Sequence, residues 1–242
     1  GYMSRRVGNI PEETRAGLIR AAADEFAEYG FEKSSLRRIC ARAGVTTGAL
    51  YASFRDKEDL FENVISPVIG HICSTLGEHF KREKDSSAEE LLNARGEEHD
   101  VQAAMAILRY YFNNRKLCSI LFENREHPAV KEFFDRVIEM TDRQTAQVAG
   151  VIGQKAGGAE KHEFGENTVH WFSHLQVDMI FYIIEHDMDE CQAERQVREM
   201  IRFFRGGLYA LIDDGFLQNM TMPERSGTVN DMEKDISDDT VK

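Results

Sequence analysis

The chain has 242 residues, of which 42% are hydrophobic and 30% charged, so it is long enough for one large domain or two smaller ones with a proper core. These fractions are ordinary for a folded protein. Its apolar runs fall short of the roughly 20 residues that cross a bilayer, and the first residues lack the apolar segment of a secretory signal. The composition therefore excludes a membrane-spanning chain, and it predicts a cytoplasmic protein without a membrane partner.

Charge is unevenly distributed along the chain, whose formal net charge is −12. Residues 1–60 contain 10 Lys and Arg against 9 Asp and Glu, whereas the remainder contains 20 against 33. An acidic body is repelled by phosphates, but the nearly neutral first quarter is not. The charge pattern therefore permits nucleic-acid binding by the first quarter of the chain and disfavours it elsewhere.

The first predicted helix begins at Pro11 and ends at Gly30. Proline suits the first helical position, and Glu12 and Glu13 are favourable in the first turn because of the helix dipole. Gly30 favours the left-handed backbone conformation that ends a helix. One apolar face, at steps of three and four, is formed by Ile19, Ala22, Phe26 and Tyr29.

Two short helices separated by a tight turn are predicted next. Ser34 or Ser35 caps the second helix, which ends at Gly44. Thr46 caps the third helix. Two short helices joined by a glycine-containing turn are typical of a helix-turn-helix. Asp56, with Asp59, resembles a capping pair that begins a fourth helix.

The N-terminal end of the third helix has an unusual surface, because none of its side chains is a large aliphatic one. Hydroxyl groups contact bases or phosphates, a threonine methyl can contact a thymine methyl, and glycine allows close backbone approach. Lys57, just after the Asp56 cap, can share one phosphate with the free N–H groups of a helix N-terminus. The alternatives are a short capped helix on a bundle surface and a solvated lysine. The residues of this surface are Thr46, Thr47, Gly48 and Tyr51.

These segments resemble the DNA-binding domain of the tetracycline-repressor (TetR) family. The resemblance covers Arg15 through Phe61, and several segments in one order are far more specific than a single motif. Cys40 stands where the family usually has alanine, and Ala52 and Ser53 replace a bulkier pair that is frequent there. The segments are FAEYGF (26–31), ICARAGV (39–45), GALYASF (48–54) and KEDL (57–60).

The resemblance implies that residues 1–55 form the DNA-binding domain and that the second and third helices enter the major groove of double-stranded DNA. Arg5 and Arg6 then form an arm that reaches a phosphate or the minor groove, or else a disordered end. Carried over by position, the DNA contacts are Ser34, Ser35, Arg37, Thr46, Thr47, Gly48, Tyr51 and Lys57.

The remainder is predicted to be helical as well, which makes the fold all-α. An apolar helical face runs from Asp56 to about Phe80 and is interrupted by Pro67, which favours a kink. A charged break follows over 81–87. Further helices are predicted at 88–112, 115–125, 128–155, 164–187 and 193–218. Residues 56–218 would thus form a larger helical effector-binding and dimerisation domain, and residues 219–242 an acidic, mobile tail.

A small-molecule effector site is predicted among the middle helices. Apolar side chains, Cys118 among them, recur there at helical spacing, beside the polar side chains of Arg109, Asn113 and Asn114. Such a stripe is more often plain core than a ligand-binding wall. The predicted effector contacts are Met105, Leu108, Arg109, Tyr111, Phe112, Asn113, Phe122, Phe133 and Phe134.

The last two helices are strongly apolar, and in the family that the chain resembles they pair between two subunits. A homodimer also fits DNA recognition, because two half-sites one helical turn apart supply the affinity that one short helix lacks. The predicted dimer interface consists of Trp171, Phe172, Leu175, Met179, Met200, Phe204, Gly207, Leu208 and Leu211.

Metal, redox and cofactor chemistry are not predicted. The four cysteines form no CxxC pair, so reduced, packed thiols are favoured over a zinc site. His170 and His174 have the i, i+4 spacing of metal ligands, and Asp178 continues the row, but surface or interface histidines are the preferred interpretation.

The leading functional hypothesis is a repressor, not an enzyme, that a small molecule releases from a palindromic operator. An activator remains possible, because the same binding chemistry can recruit as well as block. The competing hypotheses are an enzyme that uses His170, His174 and Asp178, and a ligand-binding or interaction module that has lost DNA binding.

Overall fold

The computed structural model describes residues 12–155 and 165–212, and every regular element in these ranges is an α-helix. The predicted all-α fold is confirmed. None of the described helices is long and apolar enough to cross a membrane. In chain order they are α1 (Glu12–Lys33), α2 (Leu36–Ala43), α3 (Thr47–Ser53), α4 (Lys57–Asp85), α5 (Ala88–Leu92), α6 (Ala94–Asn113), α7 (Arg115–Glu123), α8 (Pro128–Lys155), α9 (Glu166–Glu185) and α10 (Glu190–Ile212).

Several sequence predictions lie outside the described residues. They concern Arg5, Arg6, Pro11, the first residue of the helix predicted at 164–187, the end of the helix predicted at 193–218, and the segment 219–242.

Helices α1 to α3 pack around a common apolar cluster. Leu18 and Phe26 of α1, Ile39 of α2 and Leu50 of α3 are all buried in it. Burying one such side chain stabilises a fold by roughly 1.5–3 kcal/mol. This shared core fixes the angle between α2 and α3, and it leaves their opposite faces free.

Gly30 interrupts α1 where the sequence predicted its end. Its φ of 71° lies in the region that favours glycine, and the chain then makes one more helical turn before α2. Phe31, in this extra turn, is buried against the rest of the cluster. The extra turn therefore extends the part formed by α1 to α3, called the head below, toward the remaining helices, called the body.

Helix α4 begins at the predicted cap and connects the head to the body. The Asp56 carboxylate accepts a hydrogen bond from the backbone N–H of Asp59 at 2.8 Å. The helix continues through Pro67 without a break. Proline has no N–H to donate to the Asn63 carbonyl four residues earlier. That carbonyl accepts a hydrogen bond from the Ser66 hydroxyl at 3.1 Å.

Two predicted boundaries near residue 85 are wrong. The expected charged break at 81–87 is helical as far as Asp85, because its residues are good helix formers and Arg82 and Lys84 suit a last turn. The single helix expected at 88–112 is divided at Asn93. The Asn93 side chain accepts hydrogen bonds from the next helix's first N–H groups and so begins α6.

The head contacts the body through α7 and the residue before α8. The His127 ring lies 4.5 Å, centroid to centroid, from the rings of both Phe31 and Phe61. Lys116 of α7 pairs with Asp24 of α1. Because both contacts join α1 to the body, a shift of α7 would act directly on the position of α1.

Candidate nucleic-acid interface and ligand cavity

Helix α3 presents a polar face that is free of intramolecular packing. The Thr46 hydroxyl accepts a hydrogen bond from the Ala49 N–H at 3.3 Å, as the sequence predicted for the cap. Thr46, Thr47 and Gly48 are exposed, and Tyr51 is 59% exposed. Leu50, on the other side of the helix, is fully buried. This amphipathic division directs the hydroxyl-bearing face outward.

A buried carboxylate that the sequence analysis missed holds α2 in place. Glu25 of α1 has no exposed surface, and its Oε1 accepts hydrogen bonds from the Ser35 N–H at 3.0 Å and Arg38 Nε at 2.6 Å. Arg42 approaches the second oxygen at 3.7 Å. Ser35, the predicted side-chain cap of α2, makes no cap bond with its hydroxyl. Acidic residues are common on helices, so the sequence alone gave no signal for this role.

Basic side chains are available beside the α3 face. Arg37 is exposed. Lys57, at the start of α4, places its Nζ 3.3 Å from the Glu32 carbonyl oxygen and 4.4 Å from the Phe31 ring centroid. Lys57 is therefore partly engaged within the chain, where the sequence predicted a free phosphate contact. Ser34 and Ser35, also predicted as DNA contacts, are half-buried.

A second candidate site is a cavity of about 200 Å³ inside the body. Helices α4, α6, α8, α9 and α10 contribute to its wall together with Phe122 of α7. The wall is mostly apolar, and three of its rings, Phe122, Phe134 and Phe181, form a cluster with centroids 5.3–6.4 Å apart. Such a cavity favours a ligand with an apolar body.

One end of this cavity is polar. His79 Nε2 lies 3.7 Å from an oxygen of Glu83 and 3.8 Å from an oxygen of Asp100. The other Asp100 oxygen accepts a hydrogen bond from Arg205 at 2.6 Å. Gln144 also lines the cavity, is 9% exposed, and its side chain lies beside Glu83, whose pKa it lowers.

Burial determines the protonation of this polar end. It raises the pKa of Glu83 to about 8, with the Asp100 charge contributing, and it raises the pKa of Asp100 to about 6. Burial, with the Arg82 charge, lowers the pKa of His79 to about 4. The imidazole is therefore neutral near pH 7, with a lone pair available on one ring nitrogen.

Comparison with known proteins identifies the head of the chain. The family described as bacterial regulatory proteins, tetR family, matches residues 18–64. The repressor BepR of Brucella suis is 43% identical over 61 residues, which cover 25% of this chain and 29% of that protein. The tetR-family model therefore matches the part of the chain that contains most of α1, all of α2 and α3, and the start of α4. The resemblance inferred from the sequence is thus confirmed.

The chain as a whole matches known structures in fold only. A TetR-like transcriptional regulator from Rhodococcus sp. RHA1 superposes with a TM-score of 0.53 at 17% identity, covering 78% of this chain and 93% of that one. FadR from Bacillus subtilis, solved with stearoyl-CoA, gives a TM-score of 0.51 at 16% identity, covering 77% and 96%. The BepR match, by contrast, spans less than a third of that relative's length.

The cavity in the body includes only part of the predicted effector site. Phe122, Phe133 and Phe134 lie on its wall. The α6 candidates do not, because the cavity-facing side of α6 carries residues 100, 103, 104 and 107, whereas Met105 and Leu108 pack toward α10.

The other predicted effector residues are also placed elsewhere. Arg109 is exposed and pairs with Glu190 at 2.8 Å, and Asn113 is exposed. Tyr111, Phe112 and Cys118 pack in the hydrophobic cores. Asn114 is the residue directly before α7.

The predicted dimer residues divide into two groups. One group lies on the cavity wall inside the chain and consists of Phe172, Met179, Phe204 and Leu208. Leu175, Met200 and Gly207 are half-buried. Trp171 and Leu211 are exposed, together with two residues that the sequence analysis did not select, Tyr182 and Phe203. Exposed apolar side chains therefore remain on α9 and α10, and they overlap the predicted interface at Trp171 and Leu211.

His170 and His174 form a surface pair and not a buried site. Their Nε2 atoms lie 3.1 Å apart, and His170 Nδ1 lies 2.9 Å from an Asp142 oxygen. Both histidines and Asp178 are exposed. The group that the sequence analysis missed is His79, Glu83 and Asp100; the i, i+4 spacing of its first two members was visible, but the third comes from another helix.

Proposed function

We propose that this chain is a transcriptional repressor that binds a palindromic DNA operator as a homodimer and is released by a small molecule in the body cavity. The observation that carries the proposal is the exposed, hydroxyl-bearing face of α3 on a domain that matches the tetR family. Thr47 and Tyr51 would contact bases and phosphates there. The chain would act by binding and not by catalysis, in the cytoplasm where it meets DNA.

The test of DNA recognition is selection of bound fragments from the source genome by the purified chain at moderate salt. We expect a few fragments that share a short palindrome. A folded chain that recovers only random DNA, or none, would contradict the proposal and favour an interaction module.

Dimerisation is supported by the exposed apolar surface of α9 and α10. Trp171 is 56% exposed and Phe203 is 71% exposed, and large exposed apolar side chains on two helices that contact each other favour an interaction surface. Phe203→Glu would place two charges in the interface of a symmetric dimer. Light scattering after gel filtration should show a monomer for this variant, whereas Leu92→Glu, on α5, should remain a dimer.

The proposed effector has an apolar body, because aromatic rings dominate the cavity wall. The FadR neighbour was solved with stearoyl-CoA, which supports a ligand-binding role for the body of this fold. Val148→Trp would fill the cavity from α8. We expect this variant to retain operator binding and to lose release by any compound that releases the wild type; unchanged release would exclude the cavity as the effector site.

A further inference from the structure

The polar end of the cavity has the geometry of a metal site. His79 and Glu83 are one helical turn apart on α4 and therefore share a face, and Asp100 faces them from α6. One ligand atom from each lies within 4.8 Å of the other two. Metal bonds of about 2.0–2.2 Å place neighbouring ligand atoms roughly 3.0–3.6 Å apart. The two distances from His79, 3.7 and 3.8 Å, are therefore close to this range, and the two carboxylates would approach each other by up to about 1.2 Å, which side-chain rotation allows.

We propose that His79, Glu83 and Asp100 bind one divalent transition-metal ion of the Zn²⁺, Co²⁺ or Ni²⁺ class, with its remaining coordination positions open to the cavity. Imidazole selects this class over Mg²⁺ and Ca²⁺, which prefer oxygen ligands alone. Three protein ligands with an open position are the arrangement in which zinc binds a water or a second ligand.

The surroundings of the three residues support an ion at this position. Arg205 holds the second oxygen of Asp100 at 2.6 Å, and such outer contacts orient metal ligands. The buried Gln144 amide lines the cavity beside Glu83, where it can orient that carboxylate on the ion. When an ion binds, it displaces the proton that burial holds on Glu83, and its charge then offsets the negative charge that Arg205 does not.

The site gives the cavity a way to act on α4. This helix begins in the head at the Asp56 cap, and it carries His79 and Glu83 in its last two turns. An ion held jointly with Asp100 would fix this end of α4 to α6. A cavity ligand with a metal-binding group would then alter the α4 to α6 contact directly. This consequence, unlike the metal site itself, rests on the proposed function.

The test is equilibrium dialysis of the full chain against Zn²⁺, Co²⁺ or Mg²⁺, with elemental analysis of bound metal per chain. The double variant His170→Ala, His174→Ala serves as the background, because it removes the exposed histidine pair. We expect stoichiometric Zn²⁺ and Co²⁺ in this background, with weak Mg²⁺ binding. His79→Gln should lower the affinity at least about tenfold.

Further variants separate ligation from folding. Glu83→Gln and Asp100→Asn keep the side-chain shape and should each lower the metal affinity, whereas the exposed neighbour Glu78→Gln should not. Circular dichroism melting checks that each variant is folded. Two results would overturn the proposal: no stoichiometric ion in the background variant, or binding that survives all three ligand substitutions. Mg²⁺ binding as tight as Zn²⁺ binding would overturn the assigned class.

Operator binding is measured on the same metal-free and metal-loaded samples. A chain that binds metal at this site but selects no DNA contradicts the proposed function and leaves the metal site intact. A chain that binds its operator but no metal contradicts the metal site and leaves the proposed function intact.

Discussion

Replacing the buried Glu25 with alanine should destabilise the head of the molecule. The carboxylate has no exposed surface and accepts hydrogen bonds from the Ser35 N–H and Arg38 Nε. A hydrogen bond to a charged group contributes roughly 1.5–3 kcal/mol, and an unsatisfied buried N–H costs about 1–3 kcal/mol. The Arg38 side chain is 44% exposed and would regain water. Because Arg38 regains water, the expected loss in the free energy of unfolding lies near the lower end of the sum of these contributions, about 3 kcal/mol.

Urea unfolding followed by circular dichroism measures this loss. With a urea dependence of about 3 kcal/mol per M, the midpoint should fall by about 1 M. Glu28→Ala is the matched control, because Glu28 lies one turn along the same helix, pairs with Arg42 and is half exposed; it should leave the midpoint nearly unchanged. Equal midpoints for the two variants would refute the reasoning that burial makes the Glu25 contacts important.

Three further predictions concern the backbone, a histidine and the thiols. Gly30→Ala should destabilise the chain because φ is 71° there, whereas Gly70→Ala, at an open position inside α4, should stabilise it by about 0.5–1 kcal/mol; both are measured by urea unfolding. Burial lowers the pKa of His127 below its usual 6.5, so the unfolded chain binds more protons and stability falls as the pH decreases through 6.5; His127→Gln should reduce that fall, and an unchanged profile would contradict it. Burial raises the pKa of Cys118 to about 12, so a thiol reagent near pH 8 should modify the exposed Cys191 first, as peptide mass spectrometry can show.

The sequence was sufficient to predict the head of the molecule because local rules dominate there. Gly30 and Gly44 have the positive φ that the pattern required, and Thr46 and Asp56 cap the helices as predicted. Each of these features depends on a few neighbouring residues. Glu25 was missed because its partners lie 10 and 13 residues away, and spacing alone does not show which acidic residue of a helix turns inward.

The cavity could be predicted only in part because its wall depends on how the helices rotate against each other. Phe133 lies on the wall as expected, but Met105 faces the other side of α6, toward α10. On a helix, one residue corresponds to a rotation of about 100°, so a small error in the assumed face exchanges cavity and core. Phe172 and Phe204 were assigned to a dimer surface for the same reason, and they line the cavity instead.

The most direct test of sequence-specific DNA recognition through α3 is a fluorescence anisotropy titration of a selected operator and a scrambled duplex at two salt concentrations. The comparison uses wild type, Tyr51→Ala and, as a control, Leu92→Ala; both substituted side chains are exposed, so folding should be unaffected. We predict that wild type and Leu92→Ala prefer the operator, that affinity falls as salt rises, and that Tyr51→Ala binds the operator about tenfold or more weakly. Equal affinity of the wild type for both duplexes, or full operator affinity of Tyr51→Ala, would contradict sequence-specific recognition through α3.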